Sequence, residues 1–182
     1  MRRPRTVRAI LATAVATLSI GIPAAPTLGS PAVGQAAVGV PAGVATGMAE
    51  SQLRWVGCPQ DAGAIGVAPW LADRVERLVS DALADGVPLC GGGWRSYQEQ
   101  VDLRFQNCGV STKAVYEWPA RWCSPPTARP GQSMHEQGLA IDFRPLRGVS
   151  RPDMYRWLRA HAREYGLYQL PSENWHYSTT GG

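Results

Sequence analysis

Ser133-Met134-His135-Glu136-Gln137-Gly138-Leu139-Ala140-Ile141-Asp142 decides how the chain is read. A glycine-containing approach runs into an alternating segment, Gly138–Phe143. Read as a strand, it sends Leu139, Ile141 and Phe143 to one face and Ala140 and Asp142 to the other. Asp142 is therefore expected to face away from the buried side. A second stretch, Glu173-Asn174-Trp175-His176, answers the first. Together they supply two histidines and two carboxylates, the groups that a hydrolytic zinc site needs: three protein ligands, an open position and a base.

The 182 residues suffice for one domain with a real core. Arg2, Arg3, Arg5 and Arg8 precede the apolar run Ala9–Ile22, and small residues follow. This is the pattern of a secretory signal over residues 1–36, with cleavage expected between about residues 25 and 37. The run is short for a retained anchor, which needs about 20 apolar residues, so no stable span is expected in the mature chain. Removing those four arginines from the 18 basic side chains leaves 14, against 14 acidic ones. The excess positive charge belongs to the export segment and gives no argument for nucleic-acid binding. Residues 37–49, rich in Ala, Gly, Pro and Val, read as a flexible linker. The folded domain is expected over 50–178, with a tail at 179–182. Nothing in the sequence specifies an oligomeric state.

Four cysteines, Cys58, Cys90, Cys108 and Cys123, suit an exported chain with two disulfides. A cysteine zinc site would need a Cys-x-x-Cys pair, which is absent. Three pairings are open. Cys108–Cys123 with Cys58–Cys90 is favoured because the first closes one local loop, worth about 3 kcal/mol in the chain-entropy picture.

Pro69–Asp85 is the clearest helix, with Pro69 suited to its first turn and Gly86 just beyond its end. Leu71, Val75, Leu78, Val79, Ala82 and Leu83 make its apolar stripe. Val87–Cys90 is a short apolar run leading into Gly91-Gly92-Gly93, where a bend or close backbone approach is expected. Ser96 and Glu99 form a capping-box pattern, so a helix should start at Tyr97 and run to about Asn107. That places Arg95 beside a helix N-terminus, a setting suited to a carboxylate; a surface arginine beside a cap is the alternative. Val110–Gln132, with four prolines, reads as a long loop forming a cleft wall. Pro152–Tyr165 is a further helix, and Leu167–Leu170 and Trp175–Ser178 are short strands.

His135-Glu136 invites a His-Glu-x-x-His reading, but Leu139 stands where the second histidine is required. Glu136 is therefore a poor base. Glu173 is better, provided it lies in the turn before the strand. On an ideal strand Glu173 and His176 would face opposite sides, and Pro171-Ser172 supplies a turn. His161, between Leu158 and Tyr165 on a helix, reads as a core or surface residue. Singly, Asp142, Glu173 and His176 each have ordinary structural explanations; their joint pattern is what points to a site.

Ser133-x-His135-x-x-Gly138-x-Ala140-x-Asp142 with Glu173-x-Trp175-His176 resembles the VanY-type zinc D-alanyl-D-alanine carboxypeptidases. Their superfamily also holds lysostaphin-like peptidases and the hedgehog signalling domain. Gly93-x-Arg95-Ser96-x-x-x-x-Gln100 is similar to that family's substrate-binding segment. The resemblance implies an α+β fold: a small antiparallel sheet bearing the site, with helices packed on one side. It implies a zinc ion held by His135, Asp142 and His176, Glu173 as general base, and Arg95 stabilising charge on the substrate, either on the developing oxyanion or, as a substrate-binding residue, on the terminal carboxylate. Ser133 and Gln100 would line the substrate pocket. The implied activity is hydrolysis of the terminal D-Ala-D-Ala bond of peptidoglycan stem peptides by a secreted, cell-wall-associated bacterial enzyme. A peptidoglycan endopeptidase of the same superfamily and a non-catalytic zinc module that binds cell-wall peptide are the alternatives. The four-cysteine pattern is not general to the family and leaves subfamily and substrate preference open.

Overall fold

A computed structural model describes residues 47–182; the expected signal and most of the expected linker lie outside the described residues. Two short strands, β1 (Arg54–Gly57) and β2 (Ala64–Val67), pair as an antiparallel hairpin. The helix α1 (Pro69–Ala84) follows directly. Strand β3 (Leu89–Gly92), helices α2 (Tyr97–Cys108) and α3 (Thr112–Tyr116), and strand β4 (Ala140–Pro145) come next. Helix α4 (Arg151–His161) tightens into a 3-10 turn at Ala162–Tyr165, and β5 (Tyr168–Gln169) and β6 (His176–Ser178) complete the order. The main sheet is antiparallel, in the order β3-β4-β6-β5.

The register across that sheet explains why one face is core and the other is chemistry. Gly91 opposes Phe143, and Ile141 opposes Tyr177. Those side chains share a face with Leu89, and they pack into one cluster with the buried stripes of α1 and α4. One residue on, Gly92 opposes Asp142, and Asp142 opposes His176. The period-two alternation puts this second row on the opposite face. The expected α1 stripe needs one correction. Leu71, Val75, Leu78, Val79 and Ala82 are buried, but Leu83 is 47% exposed, because α1 is covered along one side only.

The segment read as one long loop has structure of its own. Ser111 caps α3 by accepting from the Ala114 N–H, and Cys108 is bonded to Cys123. Its main fastening is Arg104, which is fully buried and has no carboxylate partner among the described residues. The guanidinium instead donates to the carbonyl oxygens of Val115, Thr127, Ala114 and Trp118, at 2.9, 2.6, 2.6 and 2.9 Å. Arg129 adds bonds to the carbonyls of Trp118 and Glu117. Planar, multiply donating guanidinium groups suit such a cage of carbonyls. On the other side of the molecule, Cys58 is bonded to Cys90, tying the β1–β2 hairpin to β3.

Candidate active site

A cleft of about 540 Å³ opens on the site face of the main sheet, and His135, Asp142, His176, Glu173, Arg95, Gln100 and Ser133 all line it. Sheet register brings two of them together. Asp142 on β4 and His176 on β6 are direct cross-strand partners, and Asp142 Oδ1 lies 2.9 Å from His176 Nδ1. His135 arrives from the turn before β4. Gly138, which closes that turn, has φ +65°, and a β-carbon there would press on the Ala68 backbone nitrogen at 2.7 Å. Glycine is required on both grounds. His135 Nε2 then reaches Asp142 Oδ2 and His176 Nδ1, each at 3.3 Å.

The tautomer of His135 is fixed by the backbone. Its Nδ1 lies 2.6 Å from the carbonyl oxygen of Gly93. A carbonyl can only accept, so Nδ1 carries the proton and the Nε2 lone pair faces Asp142 and His176. The donor atoms of the three residues lie within 4.8 Å of one another. A tetrahedral zinc with ligand distances of about 2.0–2.2 Å would separate its ligands by roughly 3.3–3.6 Å. The two 3.3 Å separations fit that ion, the 2.9 Å between Asp142 Oδ1 and His176 Nδ1 is shorter, and the two-imidazole, one-carboxylate set suits zinc. Burial opposes ionisation of Asp142, but its close contacts with the two imidazoles outweigh it. The carboxyl is held well below the usual range, as a ligand needs.

Arg95 stands at the edge of this group, one terminal nitrogen 3.6 Å from Asp142 Oδ2. The other donates to Gln100 Oε1 at 2.9 Å. Gln100 is buried and donates in turn to the Ala128 carbonyl at 2.8 Å, so it orients Arg95 and anchors the cleft wall. Ser96 and Glu99 form the expected reciprocal cap. With Glu99 accepting from the Ser96 N–H at 2.7 Å, a carboxylate already stands at the positive end of α2. Ser133 Oγ accepts from the His135 N–H at 3.3 Å.

Glu173 lies in the turn before β6. Its N–H donates to the Leu170 carbonyl and its own carbonyl accepts from the His176 N–H. The turn gives Glu173 and His176 a common cleft despite their odd spacing, and the Glu173 carboxylate has no hydrogen-bond or ion-pair partner among the described residues. Glu136 has a different position. Its buried carboxylate accepts from the Gly131 and Ser133 N–H groups, and burial raises its pKa against those bonds. His161 lies on α4 against Trp157, ring centroids 4.7 Å apart, and is not part of the group. Sequence reasoning missed the Gly93 carbonyl, although its glycine run signalled a close approach. It also missed the buried role of Arg104, for which the sequence carries no local signal.

The family model described as VanY, D-alanyl-D-alanine carboxypeptidase, matches residues 65–181. No curated protein sequence matches. Among solved structures, VanYB in complex with D-alanine-D-alanine is 22% identical, with a TM-score of 0.51 over 68% of this chain and 76% of that one. A Zn(II) complex of a point mutant of the vancomycin resistance D,D-pentapeptidase VanY, from a VanB-type resistance cassette, is 20% identical. It also has a TM-score of 0.51, over 73% of this chain and 82% of that one. These two share the fold.

Proposed function

The chain belongs to the VanY family of D-alanyl-D-alanine carboxypeptidases, and from that premise we propose that it is a zinc-dependent D,D-carboxypeptidase removing the terminal D-alanine from peptidoglycan stem peptides outside the membrane. The observation that carries the proposal is the His135, Asp142 and His176 donor set beside an unpartnered Glu173 in one cleft. Two disulfides suit an exported protein, and among the described residues no helix is long and apolar enough to cross a membrane.

In this reading His135, Asp142 and His176 hold the ion, which when bound polarises the scissile carbonyl and eases deprotonation of water. Glu173 accepts the proton of the attacking water and delivers it to the leaving amine nitrogen as the C–N bond breaks. Arg95, fixed by Gln100, stabilises the negative charge that develops on the carbonyl oxygen. Its contact with Asp142 supports that role; holding the terminal carboxylate of the substrate is the other role open to it. Ser133 and Gln100 shape the pocket, Gln100 acting through Arg95.

The test is digestion of purified muropeptides, with metal analysis of the same sample. Loss of one terminal alanine from pentapeptide stems, with stoichiometric zinc, is expected. Cleavage within stems or cross-bridges without that loss would make the protein an endopeptidase, and zinc without turnover would make it a binding module.

A further inference from the structure

Two bonds tie His135 to one short segment, Gly93–Arg95. Its ring donates to the Gly93 carbonyl, and its own carbonyl accepts from the Arg95 N–H at 3.2 Å. Between those two residues stands Trp94, whose indole N–H donates to the Met48 carbonyl at 3.0 Å. The Met48 N–H donates in turn to the carbonyl of Glu136, the residue after His135, at 2.8 Å. The circuit closes: His135 and Glu136, Met48, Trp94, and back to His135 through Gly93 and Arg95. Its members have little room. Glu136 is buried, and its carboxylate is held by the Gly131 and Ser133 N–H groups. Gly47 lies so close that a β-carbon there would run into the Glu136 carbonyl oxygen and stand 2.9 Å from Glu136 Cβ. Its φ of +71° also favours glycine. Directly after Met48 the chain is capped, the Ala49 N–H donating to Gln52 Oε1 at 2.9 Å.

We infer that Gly47, Met48 and Trp94 are positioning residues for the metal site: the strap Gly47–Met48 ties the turn that carries His135 to the segment that carries Gly93 and Arg95. The strap lies ahead of residues 65–181, which the family model matches, and does not line the cleft, so it acts only through its neighbours. The inference rests on the zinc reading of His135, Asp142 and His176. A ligating imidazole binds well only while its other nitrogen keeps its partner. Gly93 holds that partner carbonyl in place, and Trp94 anchors Gly93 to the strap.

The test is a double-mutant cycle in the full chain. Trp94→Phe keeps an aromatic ring and removes the N–H; Gly47→Ala forces the strap off Glu136. A direct partner of a ligand is worth about 10–100-fold in metal affinity, and the strap acts one bond farther out, so each variant should bind zinc about three- to tenfold more weakly in chelator competition. On pentapeptide stems kcat should fall more than KM rises, because Arg95 adjoins Trp94. The double variant should lose little more than the larger single loss, since both substitutions open the same circuit. Val110→Arg, at a position 86% exposed, should leave zinc affinity unchanged. Urea unfolding of the same variants separates positioning from stability. A lower midpoint with wild-type zinc affinity overturns the inference, as do fully additive losses in the double variant. Zinc affinity that falls in the variants while the wild type turns over no D-Ala-D-Ala stem removes the carboxypeptidase reading and leaves the strap standing. Wild-type turnover with zinc affinity indifferent to both substitutions does the reverse.

Discussion

The Nδ1–H of His135 donates to the carbonyl oxygen of Gly93 at 2.6 Å, linking the turn before β4 to the end of β3. Gly93 is itself pinned, since a β-carbon there would run into the Gly66 carbonyl oxygen and meet Ile65 Cγ2 at 2.9 Å. The same Gly66 carbonyl accepts from the Trp94 N–H at 2.7 Å, so it cannot retreat without losing a bond. Gly93→Ala should therefore displace the carbonyl that orients His135. Partners of this kind are worth about 10–100-fold in metal affinity, and a loss in that range is expected in chelator competition. Unchanged affinity would mean that His135 is oriented by its other contacts.

Much of this site is legible in sequence because its candidate ligands stand in motifs that carry a family resemblance and sit on periodic or turn-marked segments. Asp142 follows from strand alternation, and the convergence of Glu173 with His176 from the Pro171-Ser172 turn. The β1–β2 hairpin is not legible. Its strands are four residues each, glycine ends the first and interrupts the second, so pattern is weak and tertiary packing over α1 decides. Arg104 is opaque for another reason. An arginine on a polar helix predicts a solvated side chain, and only the fold reveals four backbone carbonyls converging on its position. Local period cannot report a partner supplied by a distant loop.

Glu173 and His176 share a turn but should fail differently. Glu173→Ala leaves His135, Asp142 and His176 untouched, so zinc should stay stoichiometric while kcat falls by about 10²–10⁴-fold, the usual worth of a general base. His176→Ala removes a donor and should lose the metal. Elemental analysis beside kinetics separates them: stoichiometric zinc in His176→Ala contradicts the ligand set, and full activity in Glu173→Ala removes the base.

Alkaline pH should loosen the core. Burial, then the hydrogen bond to Asp81 at 2.7 Å, pushes Tyr165 up to about 12; burial, partly offset by Arg159, pushes Tyr177 up to about 12. Unfolded tyrosine ionises near about 10. Because the folded values are higher, the stabilisation is complete below about pH 10 and is lost as pH rises through about 12. Burial raises Tyr97 as well, so phenolate absorbance should show three late-titrating groups among the six tyrosines, and the urea midpoint should be lower at about pH 11 than at about pH 9. Tyr165→Phe should flatten that decline.

Arg104 makes the sharpest stability prediction, because four carbonyls depend on one side chain. Burial lowers its pKa, and nearby Arg129 lowers it further, yet guanidinium stays charged throughout the physiological range. Arg104→Met would leave the carbonyls of Ala114, Val115 and Thr127 without their donor, and that of Trp118 with Arg129 alone. Removing one side of a buried charged network costs about 3–5 kcal/mol. Arg104→Lys keeps a charge and three donors, but from a single nitrogen that cannot span all four acceptors. It should recover part of the loss, leaving about 2–3 kcal/mol. Urea unfolding would measure both through the midpoint. The damage should be local before it is global: Val110–Gln132 should become the first site of proteolytic nicking, and KM for long stem peptides should rise more than kcat falls. If both variants unfold at the wild-type midpoint and resist protease there, the disulfide and the remaining hydrogen bonds hold the wall, and the carbonyl cage contributes little.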